Sequence, residues 1–313
     1  MSEQEAGPRV AVVVRTKDRP RFLERALRSI TRQTLAEWEC VIVNDGGDPA
    51  AVDAVVSHVP AAQRDRIRVV SHDEARGRWV SANAGVAATS APLLVLHDDD
   101  DSWHPEFLER AAAYLDDPAH ADRGGVVSRI EIVWEQVSPA GDYVETGREI
   151  FQQQLTAPTL GDTMQFNRFV PIGFVYRRAL HDEIGPYDER LPVVGDWNFT
   201  LQVLARGPLE YLGDTPYAFW HQRPGQDGSA GNSVIDASGD HAKYDALIRD
   251  QALREYVQEN GQGLPLYLTK YIDRRLAEME QRLAAHIENV AVHYSIPERA
   301  ARAAKKALRR KKK

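Results

Sequence analysis

Short apolar runs alternate with helix-like stretches over residues 10–97, and this alternation constrains the fold more than any other feature. Apolar, β-branched runs of this length are typical of buried strands, and they cover Val10–Val14, Glu39–Val43, Ile67–Ser71 and Pro92–His97. Helices are predicted between them, over Pro20–Gln33, Asp48–Val59 and Val80–Thr89. Strands that alternate with helices predict an α/β fold with a mostly parallel, doubly wound sheet.

Polar clusters follow three of the predicted strands. They cover Thr16–Asp18, Asn44–Gly47 and Asp98–Asp101. In open parallel sheets, ligands bind outside the carboxyl ends of the strands. The sequence therefore predicts one binding site that is assembled from these three segments.

The strongest chemical signal is the run of four aspartates, Asp98–Asp101, that follows His97. Adjacent carboxylates at the end of a buried strand raise one another's pKa unless a cation binds. Residues i and i+2 of an extended segment face the same way, so Asp98 and Asp100 share one side. Carboxylate oxygens suit Mg²⁺ or Mn²⁺, and such an ion can bridge the phosphates of a nucleotide. This predicts a Mn²⁺ or Mg²⁺ site rather than a solvated acidic loop.

Beyond Gly124 the pattern changes to the alternation of antiparallel strands, over Val126–Trp134 and Tyr143–Ile150. A helix at Trp197–Ala205 and a strand at Leu209–Tyr217 follow, and then a Gly- and Ser-rich loop, Gly225–Gly239, which is a candidate lid. From Asp240 the chain is predicted to be helical with a break at Gly261–Pro265. The predicted divisions are a catalytic domain at 1–239, a helical extension at 240–296 and a basic tail at 297–313.

The segment LLVLHDDDDSWHPEFLE, which contains the aspartate run, resembles the nucleotide-sugar signature of family 2 glycosyltransferases with the GT-A fold. Further segments resemble that family in the expected order, namely Arg15–Thr34, Val41–Asp48, Arg76–Ala87 and Ile172–Phe199. The resemblance covers about residues 9–235. It implies a metal-dependent enzyme that moves a sugar from a nucleotide-sugar donor to an acceptor hydroxyl with inversion at the anomeric carbon.

The same resemblance implies roles for individual residues. Asp196 matches the general base, Asp45 is expected to contact the base or ribose of the donor, and Asp98 the ribose or a metal-bound water. Asp100 is expected to ligate the metal, with His221 completing its site. The remaining donor-site residues are Thr16, Asp18, Arg76 and Asp99.

Structural alternatives stay open for three of these residues. Asp45 also suits an ordinary turn beside Gly46, and Asp196 also suits the N-cap of the following helix. His221 also suits a structural role.

Two positions depart from the family pattern. Gly195 stands where relatives often have Glu, and Ser81-Ala82-Asn83 stands where they often have Ala-Arg-Asn. An arginine contact to the donor phosphates would then come from Arg76 or Arg78.

Charge is spread unevenly along the chain. The net charge is −7, yet residues 298–313 hold nine Lys or Arg against one Glu. An acidic body argues against general nucleic-acid binding. The basic tail predicts salt-sensitive, peripheral association with anionic membrane, unless it is simply a solvated terminus.

The expected location is cytoplasmic, or peripheral at the inner membrane face. Cys40 is the single cysteine, so no internal disulfide can form, which fits a reducing compartment. Residues 1–8 show no secretory signal, and the apolar runs are too short to span a bilayer. Apolar residues near heptad spacing over 276–294 predict either a homo-oligomer or packing back onto the enzyme.

Three functional hypotheses follow. The leading one is an inverting glycosyltransferase of surface polysaccharide or glycan synthesis that acts on a glycan or lipid-linked acceptor. A non-catalytic sugar-nucleotide-binding scaffold is the second, although Asp196 counts against it. The third is a haloacid-dehalogenase-type phosphatase, whose Asp-x-Asp motif follows the first strand, whereas here it follows the fourth.

Overall fold

The computed structural model describes residues 7–138, 142–225 and 238–310. Its strands are β1 Val10–Thr16, β2 Trp38–Asp45, β3 Ile67–His72, β4 Leu93–Asp98, β5 Ser102–Trp103, β6 Gly125–Val137, β7 Tyr143–Ile150, β8 Phe174–Arg177 and β9 Tyr211–Gln222. Its helices are α1 Pro20–Thr31, α2 Pro49–Ser57, α3 Ala61–Arg64, α4 Arg78–Ala87, α5 Phe107–Asp116, α6 Leu160–Gln165, α7 Ala179–Ile184, α8 Gly195–Arg206, α9 Ser238–Asn260 and α10 Gly263–Arg310.

Nine strands of the described chain form one sheet, in the order β3-β2-β1-β4-β8-β6-β9-β5, with β7 paired to β6. The strands β1 to β4 are parallel, as the alternating pattern predicts. Beyond β4 the sheet is mixed, because β8 runs antiparallel to both β4 and β6. The predicted α/β fold class is confirmed.

The core forms where α1 and α4 cover the parallel strands. The apolar residues of β1 from Val10 to Val14 are completely buried. Helix α1 begins with Pro20 and buries one face, made of Phe22, Leu23, Ala26, Leu27 and Ile30. A Cβ at Gly85 of α4 would lie 2.3 Å from Val13 Cγ1, so this helix can approach the sheet closely because position 85 is glycine.

The register of the sheet places three strand ends at one edge. Thr16 of β1 pairs with Asn44 of β2, and Arg15 of β1 pairs with Asp98 of β4. The polar clusters that follow β1, β2 and β4 therefore meet at the same edge, as the sequence predicts.

The C-terminal region is helical. Contacts divide the chain into two units, residues 1–246 and 247–313. Helix α9 ends at Asn260 and α10 begins at Gly263, which confirms the predicted break. The proposed lid lies mostly outside the described residues, at 226–237, and the predicted boundaries at 239 and 296 remain predictions. Within the described ranges, no helix combines the length and the hydropathy that crossing a membrane requires.

Candidate active site at the carboxyl ends of β1, β2 and β4

A cavity of about 1560 Å³ opens at this edge of the sheet. It is lined by eight of the nine residues assigned to the site from sequence, which are Thr16, Asp18, Asp45, Arg76, Asp98, Asp99, Asp100 and Asp196. His221, the ninth, does not line the cavity. The sheet therefore brings together residues that are up to 180 positions apart in the sequence.

Asp45, the last residue of β2, holds the loop that enters α4. Its carboxylate accepts hydrogen bonds from the backbone N–H groups of Arg76 (2.8 Å) and Gly77 (2.9 Å), and lies 2.9 Å from His72 Nδ1. Burial alone would raise the pKa of Asp45, but these hydrogen bonds lower it. Asp45 is therefore charged and fixed at one end of the cavity.

Arginines surround the aspartate run. Arg15 pairs with Asp98, and Arg19 contacts both Asp99 (2.9 Å) and Asp100 (3.2 Å). Arg223 also pairs with Asp100, and its own side chain is completely buried. These arginines offset the repulsion that four adjacent carboxylates would otherwise feel.

The compensation is incomplete for two carboxylates. Burial raises the pKa of Asp99 to about 7, against the opposing charge of Arg19, and the charges of Asp100 and Asp98 add to the rise. Burial and the same neighbours raise the pKa of Asp101 well above its ordinary value. For Asp98 the outcome reverses, because Arg15 and Arg78 outweigh its burial and lower its pKa. A bound cation would favour the charged forms of Asp99 and Asp101, which burial disfavours.

His221 lies behind the aspartates. Its Nδ1 is 2.9 Å from Glu135 Oε1, and its Nε2 is 2.8 Å from Ser102 Oγ. Burial lowers the pKa of His221, although Glu135 opposes this. Burial alone would raise the pKa of Glu135, but the hydrogen bond and charge of His221 and the neighbouring arginines lower it to about 2. Both described partners of His221 orient its ring within the protein.

The donor set can be compared with what a divalent ion needs. Among the described residues, no group of three or more His, Cys, Asp or Glu side chains is arranged to hold a metal ion. Mg²⁺ is commonly held by one or two carboxylates, with water and substrate phosphates as its other ligands. Asp98 and Asp100 both line the cavity, so these residues fit an ion whose remaining ligands come with the nucleotide.

Asp196 lies across the cavity, in the first turn of α8. The helix begins at Gly195 and Val194 is its N-cap, so Asp196 is not the cap that was one alternative for it. Asn167 Nδ2 donates a hydrogen bond to Asp196 Oδ2 at 2.9 Å. Burial raises the pKa of Asp196, with Arg78 and Arg15 opposing the rise. Val194 has φ 56°, a strained value for a β-branched residue, directly beside this carboxylate.

A tryptophan packs against the start of α8. The Trp79 indole is 3% exposed, stacks on Tyr187 with ring centroids 5.2 Å apart, and lies 5.1 Å from the Arg15 guanidinium. A Cβ on Gly195 would lie 2.6 Å from Trp79 Nε1. The departure from the family pattern at Gly195 therefore has a physical cause, since the indole occupies the space of a side chain.

Part of the cavity lining is apolar and aromatic. Phe151 and Trp220 meet edge to face with centroids 5.4 Å apart. Leu191 and the half-exposed Phe166 line the same region. This part of the cavity differs from the charged part around Asp98 and suits a ligand with apolar surface.

Sequence reasoning did not single out several residues of the site. They are Arg15, Arg19, Glu135, Asn167 and Arg223. For Arg15 and Arg19 a signal existed, because an aspartate run at a buried strand end requires nearby cations and the segment after β1 is rich in arginine. Glu135 and Arg223 carry no such signal in their own surroundings.

Comparisons with known proteins agree with this site. The family model described as Glycosyl transferase family 2 matches residues 11–185. The uncharacterized glycosyltransferase YwdF of Bacillus subtilis is 33% identical over 198 residues, which cover 62% of this chain and 67% of that protein.

Solved structures show the same GT-A fold. The crystal structure of S. aureus TarS 1-349 in complex with UDP-GlcNAc matches with a TM-score of 0.56 and 20% identity, over 82% of this chain and 75% of that one. In another crystal structure of this TarS fragment, the chain spans 60% of its length. The mannosyltransferase PcManGT from Pyrobaculum calidifontis, in complex with GDP-Man and Mn²⁺, matches with a TM-score of 0.51 and 17% identity. The match covers 72% of this chain and 59% of that one. Because the family model covers more than half of its length, the chain belongs to glycosyl transferase family 2 and is a glycosyltransferase.

Proposed function

We propose that this enzyme transfers a sugar from a nucleotide diphosphate donor to an acceptor hydroxyl, with inversion and with the help of Mn²⁺ or Mg²⁺. The observation that carries the proposal is that Asp45, the Asp98–Asp100 run and Asp196 line one cavity. The phosphatase alternative loses its basis, because the chain is a family 2 glycosyltransferase. The carboxylate of Asp196, which an Asn or Ala would lack, also favours an enzyme over a non-catalytic scaffold.

The donor's nucleoside is assigned to the end of the cavity at Asp45. Arg76, Asp18 and Thr16 line the same cavity and are assigned to the donor as well, with the Thr16 hydroxyl donating to Asp99 Oδ2 at 2.7 Å. In support, TarS has been solved with UDP-GlcNAc and PcManGT with GDP-Man, so nucleotide-sugar binding occurs on this fold.

The diphosphate is assigned to the middle of the cavity. There Asp98, Asp99 and Asp100 would hold the ion and position the donor, and the bound ion would supply positive charge to stabilise the leaving diphosphate. We keep His221 as a proposed contributor that acts from behind the aspartates. Arg15, Arg19 and Arg78 line the same cavity and are the protein's own cations that could contact the diphosphate.

Asp196 is the proposed general base. Its carboxylate accepts the proton of the acceptor hydroxyl while that oxygen forms a bond to the anomeric carbon. The bond from the anomeric carbon to the diphosphate oxygen breaks in the same displacement, and its electron pair leaves with the diphosphate. One displacement inverts the anomeric carbon, so a second carboxylate nucleophile is not needed.

The acceptor is assigned to the aromatic part of the cavity lining. Phe151, Phe166 and Trp220 offer apolar faces to either a sugar ring or a lipid-linked group. We propose a glycan or lipid-linked acceptor in surface polysaccharide synthesis. The proposed location is the cytoplasmic side of a membrane, with the basic residues of 298–313 attracted to anionic lipid.

Calorimetry tests the donor site directly. UDP and GDP are titrated into the full chain with and without Mn²⁺, and we expect binding of at least one nucleotide that requires the ion. Asp100→Ala should lose the Mn²⁺-dependent binding. Asp53 is an exposed aspartate of α2, and Asp53→Ala should bind the nucleotide as the wild type does. Undiminished, Mn²⁺-dependent affinity in Asp100→Ala would remove Asp100 from the metal site.

A further inference from the structure

Helix α10 carries an apolar seam whose side chains are exposed among the described residues. The seam residues are each 40–60% exposed and are Ile272, Leu276, Met279, Leu283, Ile287 and Val290. Helical stability in water comes mostly from packing of an apolar face, so an exposed seam of this length is typical of a helix with a partner.

The spacing of the seam indicates what kind of partner it fits. The six residues fall within an arc of roughly 80° at about 100° per residue, narrower than the stripe with which a helix covers a globular core. They recur near every 3.5 residues, as positions a and d of a heptad do, with Leu276 and Leu283 at a and Ile272 and Met279 at d. At Ile287 the seam shifts by one residue, because His286 occupies the next d position. The narrow seam fits another helix of the same kind.

The edges of the seam carry opposite charges. Arg275 and Arg282 border it at heptad position g, and Asp273 and Glu280 border it at position e. Two parallel copies place each g edge beside the partner's e edge, so Arg275 faces the partner's Glu280. Antiparallel copies would place like charges together. In the single chain Arg275 instead donates a hydrogen bond to Glu278 Oε2 at 2.6 Å. Glu278 lies at heptad position c, away from the seam, and an exposed pair of this kind contributes little, so it can be exchanged for the partner's Glu280.

The acidic edge also distinguishes a protein partner from a lipid surface. A helix that lies on anionic membrane carries basic residues along both borders of its apolar face. Asp273 and Glu280 would repel such a membrane along one whole border. The charge pattern therefore favours a second copy of this chain.

We propose that two copies of the chain associate through a parallel, in-register coiled coil over residues 272–290. The proposal goes beyond sugar transfer and does not depend on it. It also sharpens the homo-oligomer expected from residues 276–294, because it begins at Ile272 and fixes the orientation of the two helices.

Sedimentation of the full chain over a wide concentration range tests association. We expect a concentration-dependent dimer for the wild type and a monomer for Leu276→Asp combined with Leu283→Asp. Gln281→Asp, on the opposite face of the helix, is the matched control and should dimerise. A wild type that stays monomeric throughout, or one that floats with anionic vesicles through this seam as a monomer, would overturn the proposal.

Cysteine cross-linking tests orientation. Cys40 is the single native cysteine and is buried, so introduced thiols report without background. In a parallel pair Ile272→Cys forms a disulfide with its own copy, and so does Val290→Cys, whereas Gln281→Cys does not. A cross-link that forms only when the Ile272→Cys and Val290→Cys proteins are mixed would show antiparallel helices and contradict the proposal.

Charge reversal tests the register. Glu280→Arg and Arg275→Glu each place like charges side by side, so each should weaken the dimer. Their combination restores opposite charges across the pair and should recover most of the lost affinity. If the double variant loses as much dimerisation free energy as the two single variants together, the proposed pairing of Arg275 with the partner's Glu280 is wrong.

Discussion

Asp196 and Asn167 form a pair in which a neutral amide orients a buried carboxylate. The amide of Asn167 donates to Oδ2 at 2.9 Å and lies in the segment between α6 and β8, far from Asp196 in sequence. A carboxylate held in this way keeps one orientation, as the proposed general base requires. Asp196 does not cap the helix, because it lies one residue inside it. The contact with Asn167 therefore fits the proposed general base better than a capping residue.

We expect Asp196→Asn to abolish transfer while leaving nucleotide binding nearly intact. Asn is almost isosteric with Asp, but it cannot take the proton from the acceptor hydroxyl. Losing a general base costs about 10²–10⁴-fold in rate. Transfer rate, nucleotide affinity and melting temperature are measured on one preparation. Wild-type turnover in this variant would refute the assignment of the base.

The pH dependence of transfer should report Asp196. The base must be charged, and burial raises its pKa, so the rate should fall on the acid side at a pH above the ordinary range of an aspartate. Asn167→Ala removes a hydrogen bond to the charged form, which raises the pKa further. The acid limb of the profile should therefore move to higher pH in this variant.

The matched control for Asn167→Ala is Thr159→Ala. Thr159 caps α6 by accepting a hydrogen bond from the Asp162 N–H at 3.1 Å, so its loss loosens the same segment without touching Asp196. A pH profile that shifts equally in both variants would mean that Asn167 acts only through the stability of its segment.

At the scale of elements, buried ion pairs join β4, β6 and β9 beneath the cavity. Arg223 follows β9, and it contacts Asp100 after β4 and Glu135 of β6 (3.1 Å). Arg25 of α1 reaches the same Glu135. The aspartate run is therefore positioned by elements that lie far from it in the sequence.

Replacing Arg223 should destabilise the fold strongly. Arg223→Met removes the completely buried cation between Asp100 and Glu135 and leaves them only the partly exposed Arg19 and Arg25. Breaking a buried pair costs about 3–5 kcal/mol, and the remaining arginines should keep the loss at the low end of that range. Urea unfolding measures the change. Arg254→Met, which removes an exposed pair with Asp250 on α9, is the control and should change the unfolding midpoint little. Equal effects of both variants would argue against a structural role for this network.

How far the sequence predicts the elements depends on their length and surroundings. β1, β2 and β4 were predictable because each is a buried apolar run followed by polar residues, whereas β3 is only half-buried and was predicted from its apolar, β-branched residues alone. β5 has two residues and β8 has four, too few to show a period, and so these strands were not predicted.

The residues of the candidate site were likewise predictable only where the signal is local in the sequence. The aspartate run is local in sequence, and its position at a strand end could be inferred from the run itself. The contact between Glu135 and Arg223 joins positions that lie 88 residues apart, and it depends on the parallel pairing of β6 with β9, which no local pattern specifies.

At the scale of the molecule, charge is concentrated at one end of the sequence. Residues 298–313 hold nine Lys or Arg, and each contributes about 1 kcal/mol of attraction near an anionic surface at low salt. We expect the full chain to float with anionic vesicles and to be released by salt. A chain that ends at Pro297 should stay in solution. Equal flotation of both chains would exclude the tail as the attachment.

The contact between Trp79 and Gly195 has a consequence for the history of this enzyme. A side chain at position 195 would force the indole to move, since a Cβ would lie 2.6 Å from its nitrogen. We therefore expect lineages with Glu at 195 to carry a smaller residue in place of Trp79. Across an alignment of relatives the two positions should covary, and ancestors with Trp at 79 should all carry glycine at 195.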